Sequence, residues 1–280
     1  AQIFSNKYIF TIYSRLSGKA NSIKAGEYEL EPGITPLNIL TRIASGTVKQ
    51  YQFTIKSGES LIEIITAMHK NKLIQNTFNL DELEEVSKKI SKNKFDNLEG
   101  LLLPETYNFI KGDTDINLLQ RSHNAMNNFI ENNFSYDQNI YTALNDYEKL
   151  ILASIIEKES SMSSEYRMVS GVYSRRLAKG MRLQADPTVA YGLGINSSSI
   201  SKKDLRRPGL YNTYMNSGLP PTPICMSSKE AMLSVLSPIE GSALYFVAKG
   251  KDPELGHIFS DTYEEHKIAV KNYLQELKNE

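Results

Sequence analysis

Two carboxylates two residues apart, Glu157 and Glu159, close an apolar segment that runs over residues 147–160. Leu152, Ile155, Ile156 and Glu159 stand at i, i+3, i+4 and i+7, so a helix would put Glu159 on the face that seeks the core. Glu157, roughly 200° round the same helix, would face the other way. It reads as a solvated helix-face charge. A carboxyl set among apolar neighbours loses solvation, which favours its neutral form and raises its pKa. A carboxyl that keeps its proton near neutral pH can act as a general acid. The competing reading is a boundary glutamate that reaches back to water, since Glu is seldom fully buried. The helix alone does not choose between them.

The elements around this segment follow from periodicity and punctuation. The first 75 residues read as a duplicated strand-then-helix unit. In the first copy residues 26–33 form a strand and turn, and 35–46 a helix with Thr35 as N-cap, Pro36 at the first position and Gly46 at the end. The second copy runs from a strand over 51–58 into a helix over 59–70. Neither copy can bury its apolar face alone, so the two are expected to pack together. Residues 81–97 are rich in Lys, Asn, Ser and Glu and read as a polar surface helix or linker, with a soft domain boundary. Residues 99–109, broken by Pro104, read as loop or edge strand. Helices are expected over 116–133, 146–160 and 165–179, stopped by Gly180. Turns follow over 181–194 and 211–223, loops of the kind that carry sites on a rigid scaffold. A strand over 244–248 should pair with 257–260, and a helix over 263–278 ends the chain.

Composition narrows the chemistry. Lys plus Arg and Asp plus Glu both number 32, so the formal charge of zero gives no reason to expect nucleic acid or an anionic membrane surface as a partner. One cysteine, Cys225, excludes an intrachain disulfide framework and reads as a small buried thiol. The four histidines, His69, His123, His257 and His266, form no paired ligand motif, so a metalloenzyme is disfavoured; His257 and His266 read as surface or strand-end residues. Ser91 to Lys94 and Ser199 to Lys202 each match Ser-x-x-Lys, yet the companion Ser-Asp-Asn and Lys-Thr-Gly motifs are missing. These are chance matches in Ser- and Lys-rich surface. The longest apolar run, about residues 150–156, is far short of the roughly 20 residues of a membrane span. No signal-peptide pattern opens the chain, and a preceding N-terminal part is expected.

Six motifs in this order resemble the endolytic murein transglycosylase (YceG-like) family: Leu103-Pro-Glu-Thr-Tyr107, Ala153-Ser-Ile-Ile-Glu-Lys-Glu159, Gly180-Met-Arg-Leu-Gln-Ala-Asp-Pro-Thr188, Tyr211-Asn-Thr-Tyr214, Gly218-Leu-Pro-Pro221 and Leu244-Tyr-Phe-Val247. The similarity covers nearly the whole chain. It implies an α+β protein with a small LysM-like strand-helix domain (1–80), a polar linker (81–98) and a larger mixed α/β catalytic domain (99–280). It also implies cleavage of the bond between N-acetylmuramic acid and N-acetylglucosamine inside peptidoglycan glycan strands, leaving 1,6-anhydro ends without water. Glu159 matches the catalytic position, and the Glu159-Ser160 pair is similar to that of lytic transglycosylases generally. One carboxyl would serve as acid and then base, the substrate's own hydroxyl replacing the second carboxylate of ordinary glycosidases.

Within the matched motifs Gln184, Asp186, Tyr211, Asn212 and Tyr214 suit the amides and hydroxyls of a sugar, with loop architecture as the alternative role. Glu105 is the candidate for a second carboxyl near the cleft. Residues 51–74 resemble a LysM module, which would either hold the glycan or serve as a packing platform. With no Trp in the chain, stacking on sugars falls to its 16 Tyr and 10 Phe. The resemblance implies no cofactor. It implies glycan strands as the main partner, peptidoglycan synthases as possible further ones, and a single-pass N-terminal anchor, outside this chain, on the periplasmic face of the inner membrane. The family usually carries Asn-Pro-Gly after the Leu-Pro-Pro turn; here Cys225-Met-Ser-Ser228 stands in that region. The alternatives are a hydrolase that uses Glu159 with Glu105 or Asp186 and water, and a non-catalytic glycan-binding scaffold.

Overall fold

The computed structural model describes residues 7–279. Among them the helices are α1 (Lys7–Leu16), α2 (Pro36–Ser45), α3 (Leu61–Lys70), α4 (Leu83–Ile90), α5 (Asp115–Asn133), α6 (Asp146–Glu159), α7 (Tyr166–Ala178), α8 (Asp186–Leu193), α9 (Lys229–Leu236) and α10 (Tyr263–Asn279). The strands β1 (Tyr51–Thr54) and β2 (Thr106–Phe109) form one antiparallel pair, with Tyr51 opposite Phe109 and Thr54 opposite Thr106. A second antiparallel pair joins β3 (Tyr245–Ala248) to β4 (His257–Ser260), with Tyr245 opposite Ser260. The α+β class is the expected one. No helix of the described residues is long and apolar enough to cross a membrane.

Helix α6 is the centre of the packing. Asn145 starts it with a capping box, its side chain accepting the Glu148 N–H while the Glu148 carboxylate accepts the Asn145 N–H. Every residue from Lys149 to Ile156 is buried, and α7, α8 and α9 pack around it. Over those eight residues the helix has no solvated face, while in its last turn Lys158 is exposed and Glu157 half-buried. Glu157 is accordingly not a surface charge: its carboxylate accepts the N–H and hydroxyl of Ser228, and Ser228 caps the start of α9. This fixes the loop that holds Cys225-Met-Ser-Ser228. Cys225 is the expected buried thiol, its Sγ 3.4 Å from the Ser154 carbonyl.

The N-terminal part forms its helices as read, with Thr35, Pro36 and Gly46 in the anticipated roles and a capping box at Ser60. Residues 26–33 do not form a strand. A ladder needs a partner along its length, and this segment has a single bond to residues 46–49, from the Lys49 N–H to the Glu27 carbonyl. Strand β1 instead pairs with β2, across the segment that reads as a boundary. Within that segment α4 buries Val86 and Ile90, and one buried cluster runs from Ile55 through Leu61, Ile90 and Leu102 to Ile156 and Leu236. Ser91, one of the Ser-x-x-Lys serines, is used up in a turn, its hydroxyl bonded to the Phe95 backbone.

The Ser57 to Leu61 turn is docked on the rest of the chain. Gly58 N–H donates to the Met226 carbonyl, Met226 N–H donates to the Glu59 carbonyl, and the Lys158 ammonium donates to the Gly58 carbonyl. These contacts join the turn to the 224–228 loop and to the end of α6.

Glu99 completes that joint. Buried at 2 % exposure, its carboxyl accepts the Leu61 N–H at the start of α3 and the Tyr191 hydroxyl of α8, at 3.0 Å each. Burial raises its pKa to about 7, partly offset by these hydrogen bonds. The folded protein therefore holds a proton that the unfolded chain releases near pH 4.5. Stability from this group is fully present below that value and is lost as pH rises through about 7, a loss of the order of 3 kcal/mol. Glu99→Gln keeps the volume and the Leu61 contact while removing the titration. Urea unfolding at about pH 5 and about pH 8 should show a decline in the parent that is shallower in this variant; equal declines would contradict the assignment.

Candidate active site

Glu159 is the last residue of α6, and at Ser160 the chain leaves the helix for extended backbone. Its side chain is packed round by protein yet keeps a strip of accessible surface, as a recessed but reachable acid must. The Tyr173 hydroxyl of α7 donates to Glu159 Oε1 at 2.6 Å. Burial pushes the Glu159 carboxyl up to about 7; the Tyr173 bond lowers it, the negative charge of Asp186 raises it and the Arg176 guanidinium lowers it slightly. With Oε1 accepting from Tyr173, the carbonyl character falls on Oε1 and the acidic proton on Oε2. The amphipathic stripe thus led to the correct face, with desolvation as the dominant cause.

Tyr173 is 1 % exposed, and its ring stands edge-on to Phe246 of β3, centroids 5.7 Å apart. Arg176, one turn along α7, ties three segments together. It donates to the carbonyls of Leu244, Arg182 and Leu183, and its guanidinium lies over the Tyr245 ring at 5.2 Å. Sequence reading named neither residue. A signal existed, because Tyr166, Val169, Tyr173 and Arg176 recur at helical spacing on α7 and are all buried. A buried Tyr hydroxyl and a buried guanidinium each need a partner.

Of the candidate residues, Asp186 and Tyr214 join Glu159. Asp186 opens α8, an element that the Asp-Pro turn signal concealed, and its Oδ1 accepts the Tyr214 hydroxyl at 2.6 Å. The charges of Asp186 and Glu159 push the Tyr214 hydroxyl upward together with burial. Gln184 lies just before α8, exposed and in the left-handed region at φ 55°. A non-glycine residue held there stores strain, and such strain is concentrated at functional sites. The conformation is held by Gln184 N–H donating to the Thr213 carbonyl and Ala185 N–H to the Thr213 hydroxyl.

The other three candidates sit elsewhere. Asn212, 4 % exposed, donates from Nδ2 to the carbonyls of Leu205 and Arg207 and accepts the Tyr214 N–H, so its polar atoms serve the loop. The Tyr211 hydroxyl pairs with that of Thr222, and its ring packs on Tyr191. Both residues line a recess of about 160 Å³ with Gly192 and Arg207, and Glu159 is not in its wall. Glu105 is exposed and ion-paired with Lys229 at the start of α9, beside the Glu157 side of α6. The carboxylate that acts on Glu159 is Asp186. Among the described residues no group of three or more His, Cys, Asp or Glu is placed to hold a metal ion.

The chain is 29 % identical to the endolytic murein transglycosylase of Bacillus subtilis (strain 168), over 99 % of this chain and 80 % of that protein. It is 25 % identical to the protein of the same name from Streptococcus pneumoniae (strain D39), over its whole length and 56 % of the relative. A crystal structure of a YceG-like protein from Listeria monocytogenes superposes with a TM-score of 0.66 at 30 % identity, covering 95 % of this chain and 91 % of that one. The YceG-like family model matches residues 1–272, and the chain belongs to that family.

Proposed function

We propose that this chain is a peptidoglycan lytic transglycosylase that cuts within glycan strands, with Glu159 as its acid and base. The single observation that carries the reading is a glutamic acid held near pKa 7 by burial, with one oxygen anchored by Tyr173 and the other side reachable. The names of the two relatives support the reaction class. The bond cleaved is taken to be the β-1,4 linkage from N-acetylmuramic acid to N-acetylglucosamine. The chain would act on the extracytoplasmic side, where its substrate lies.

In the first step Glu159 Oε2–H donates its proton to the glycosidic oxygen as the bond to C1 breaks. The developing oxocarbenium charge is offset by the carboxylate just formed, with Asp186 adding to the negative field. In the second step the carboxylate takes the proton of the muramoyl C6 hydroxyl while that oxygen bonds to C1. One anhydro end and one free 4-hydroxyl result, and Glu159 is again protonated. Tyr173 supports both steps by fixing Oε1, and its hydrogen bond strengthens when Glu159 is ionised. Gln184, on its strained backbone, and Tyr214 are the proposed sugar contacts. Asp186 also favours a second reading, in which it activates water and Glu159 is the acid of a hydrolase; the products of that reaction carry the mass of one added water.

Glu159→Gln should cost about 10²- to 10⁴-fold in the rate of strand cleavage, read by mass spectrometry of products from uncrosslinked glycan strands. Anhydro ends from the parent alone are expected. Reducing ends would move the assignment to the hydrolase, and undiminished cleavage by the variant would remove Glu159 from the role.

Because the acid must be protonated, kcat should fall as pH rises through about 7. Asp186→Asn removes a charge that raises the Glu159 pKa and should move this limb to lower pH. Tyr173→Phe removes a bond that lowers it and should move the limb to higher pH, with a lower plateau. Shifts of the same sign in both variants would contradict the electrostatic account.

A further inference from the structure

The glutamate proposed as acid and base sits where a helix is least able to hold it. The last turn of any helix has unpaired carbonyls and opens more easily than its middle, and Glu159 is the terminal residue of α6. The turn that follows is nevertheless fastened. The Ser160 hydroxyl accepts the Met162 N–H and lies 3.3 Å from Glu165 Oε2, to which it donates. Glu165 in turn accepts twice from β4: the His257 N–H donates to Oε1 at 2.8 Å and His257 Nδ1–H to Oε2 at 2.6 Å. Ser160 and Glu165 are buried, and the His257 ring is nearly so.

The entry to β4 is moulded round this carboxylate. Gly256, at φ 73°, lies so close that a Cβ there would fall 2.2 Å from Glu165 Oε1. A surface ion pair needs no such fit. The His257 ring also stands perpendicular to Phe246, centroids 5.3 Å apart, and Phe246 meets Tyr173 edge-on. The same hairpin therefore grips Glu159 from two directions: through its main chain, by way of Ser160 and Glu165, and through its carboxyl, by way of Phe246 and Tyr173.

We infer that His257 and Glu165 are positioning residues for Glu159, a clasp from the β3–β4 hairpin that holds the frayed end of α6 in register with Tyr173. The inference rests on Glu159 being the acid and base. Ser160 is not a nucleophile in this arrangement, because the carboxylate lies between it and the imidazole and the ring cannot take its proton. The Nδ1–H donor exists in the neutral tautomer that this geometry selects and in the imidazolium. The clasp therefore works in both charge states.

The test separates the polar link from the packing. His257→Phe keeps a ring against Phe246 and deletes the donor, whereas His257→Asn keeps a donor near the Nδ1 position and deletes the ring. With uncrosslinked glycan strands as probe and rates normalised to the folded fraction, His257→Phe should lower kcat about 10- to 100-fold with KM within about twofold. His257→Asn should recover most of that loss. A looser Glu159 is better solvated, so the alkaline limb of kcat in His257→Phe should also move to lower pH. Tyr173, Arg176, Asp186 and Tyr214, the charged and titratable groups around Glu159, are unchanged in that variant.

Should His257→Phe fail to fold, Glu165→Gln makes the same test within the α6–α7 turn, turning the oxygen that faces Nδ1 into an amide donor; a drop in kcat with KM preserved is again expected. Parental kcat in the donorless variants, a loss confined to KM, or a loss in His257→Asn equal to that in His257→Phe would overturn the clasp. Glu159→Gln run in parallel keeps the two ideas apart: an inactive Glu159→Gln beside a fully active His257→Phe defeats the clasp alone, while an active Glu159→Gln defeats both.

Discussion

The all-round burial of residues 149–156 of α6 is the constraint on which the rest of the molecule depends. A helix with no solvated face has to dispose of every polar group it carries, and each solution builds a neighbour. Lys149 is paired with Asp137 and Asp146. The Ser154 hydroxyl accepts the Ile224 N–H and donates to the Ile151 carbonyl, drawing in the 224–228 loop. Glu157 caps α9 through Ser228. Lys158 reaches out to the Gly58 turn. Glu159, at the exit from the core, has a side chain that is both desolvated and accessible. The near-neutral acid follows from that position, with no dedicated charge cluster needed to make it.

Two carboxyls share this elevated pKa, and comparing them clarifies what makes an active acid. Glu99 and Glu159 are both raised to about 7 by burial. Glu99 has both oxygens accepting from the protein and joins α3 to α8, so it has neither access nor a free oxygen. Glu159 has one oxygen anchored by Tyr173, and the residue keeps accessible surface. A perturbed pKa marks both groups, and geometry separates the structural one from the one proposed as the acid.

Much of this was legible in the sequence. Caps and periodicity located α2, α3, α5, α6, α7 and α10, and alternation found β3 and β4. The i+7 spacing put Glu159 on the inward face. What stayed hidden shares a physical cause: short elements and long-range pairings have no local signature. Helix α8 spans eight residues behind an Asp-Pro step that serves equally as a turn or as a helix start, and α9 is as short. The pairing of β1 with β2 joins segments that composition separates. Glu157 was misread as solvated because its partner, Ser228, lies 71 residues away. Asn212, Tyr211 and Glu105 have the chemistry of sugar ligands, and the hydrogen bonds of Asn212 to its own loop, of Tyr211 to Thr222 and of Glu105 to Lys229 emerge only in three dimensions. Tyr173 was missed because nothing in one helix's pattern says which neighbour its hydroxyl will meet.

The β1–β2 pairing also sets a timetable. Strand β1 leaves the ribosome well ahead of its partner, and at about 5–20 residues per second it waits several seconds with its edge unpaired. The Gly58 turn waits longer still, for Met226, and the turn after Glu159 is not fastened until His257 has emerged. Nearly all of the chain must be made before the acid is held in place. A chain released before His257 has emerged lacks the hairpin contacts that fasten the turn after Glu159.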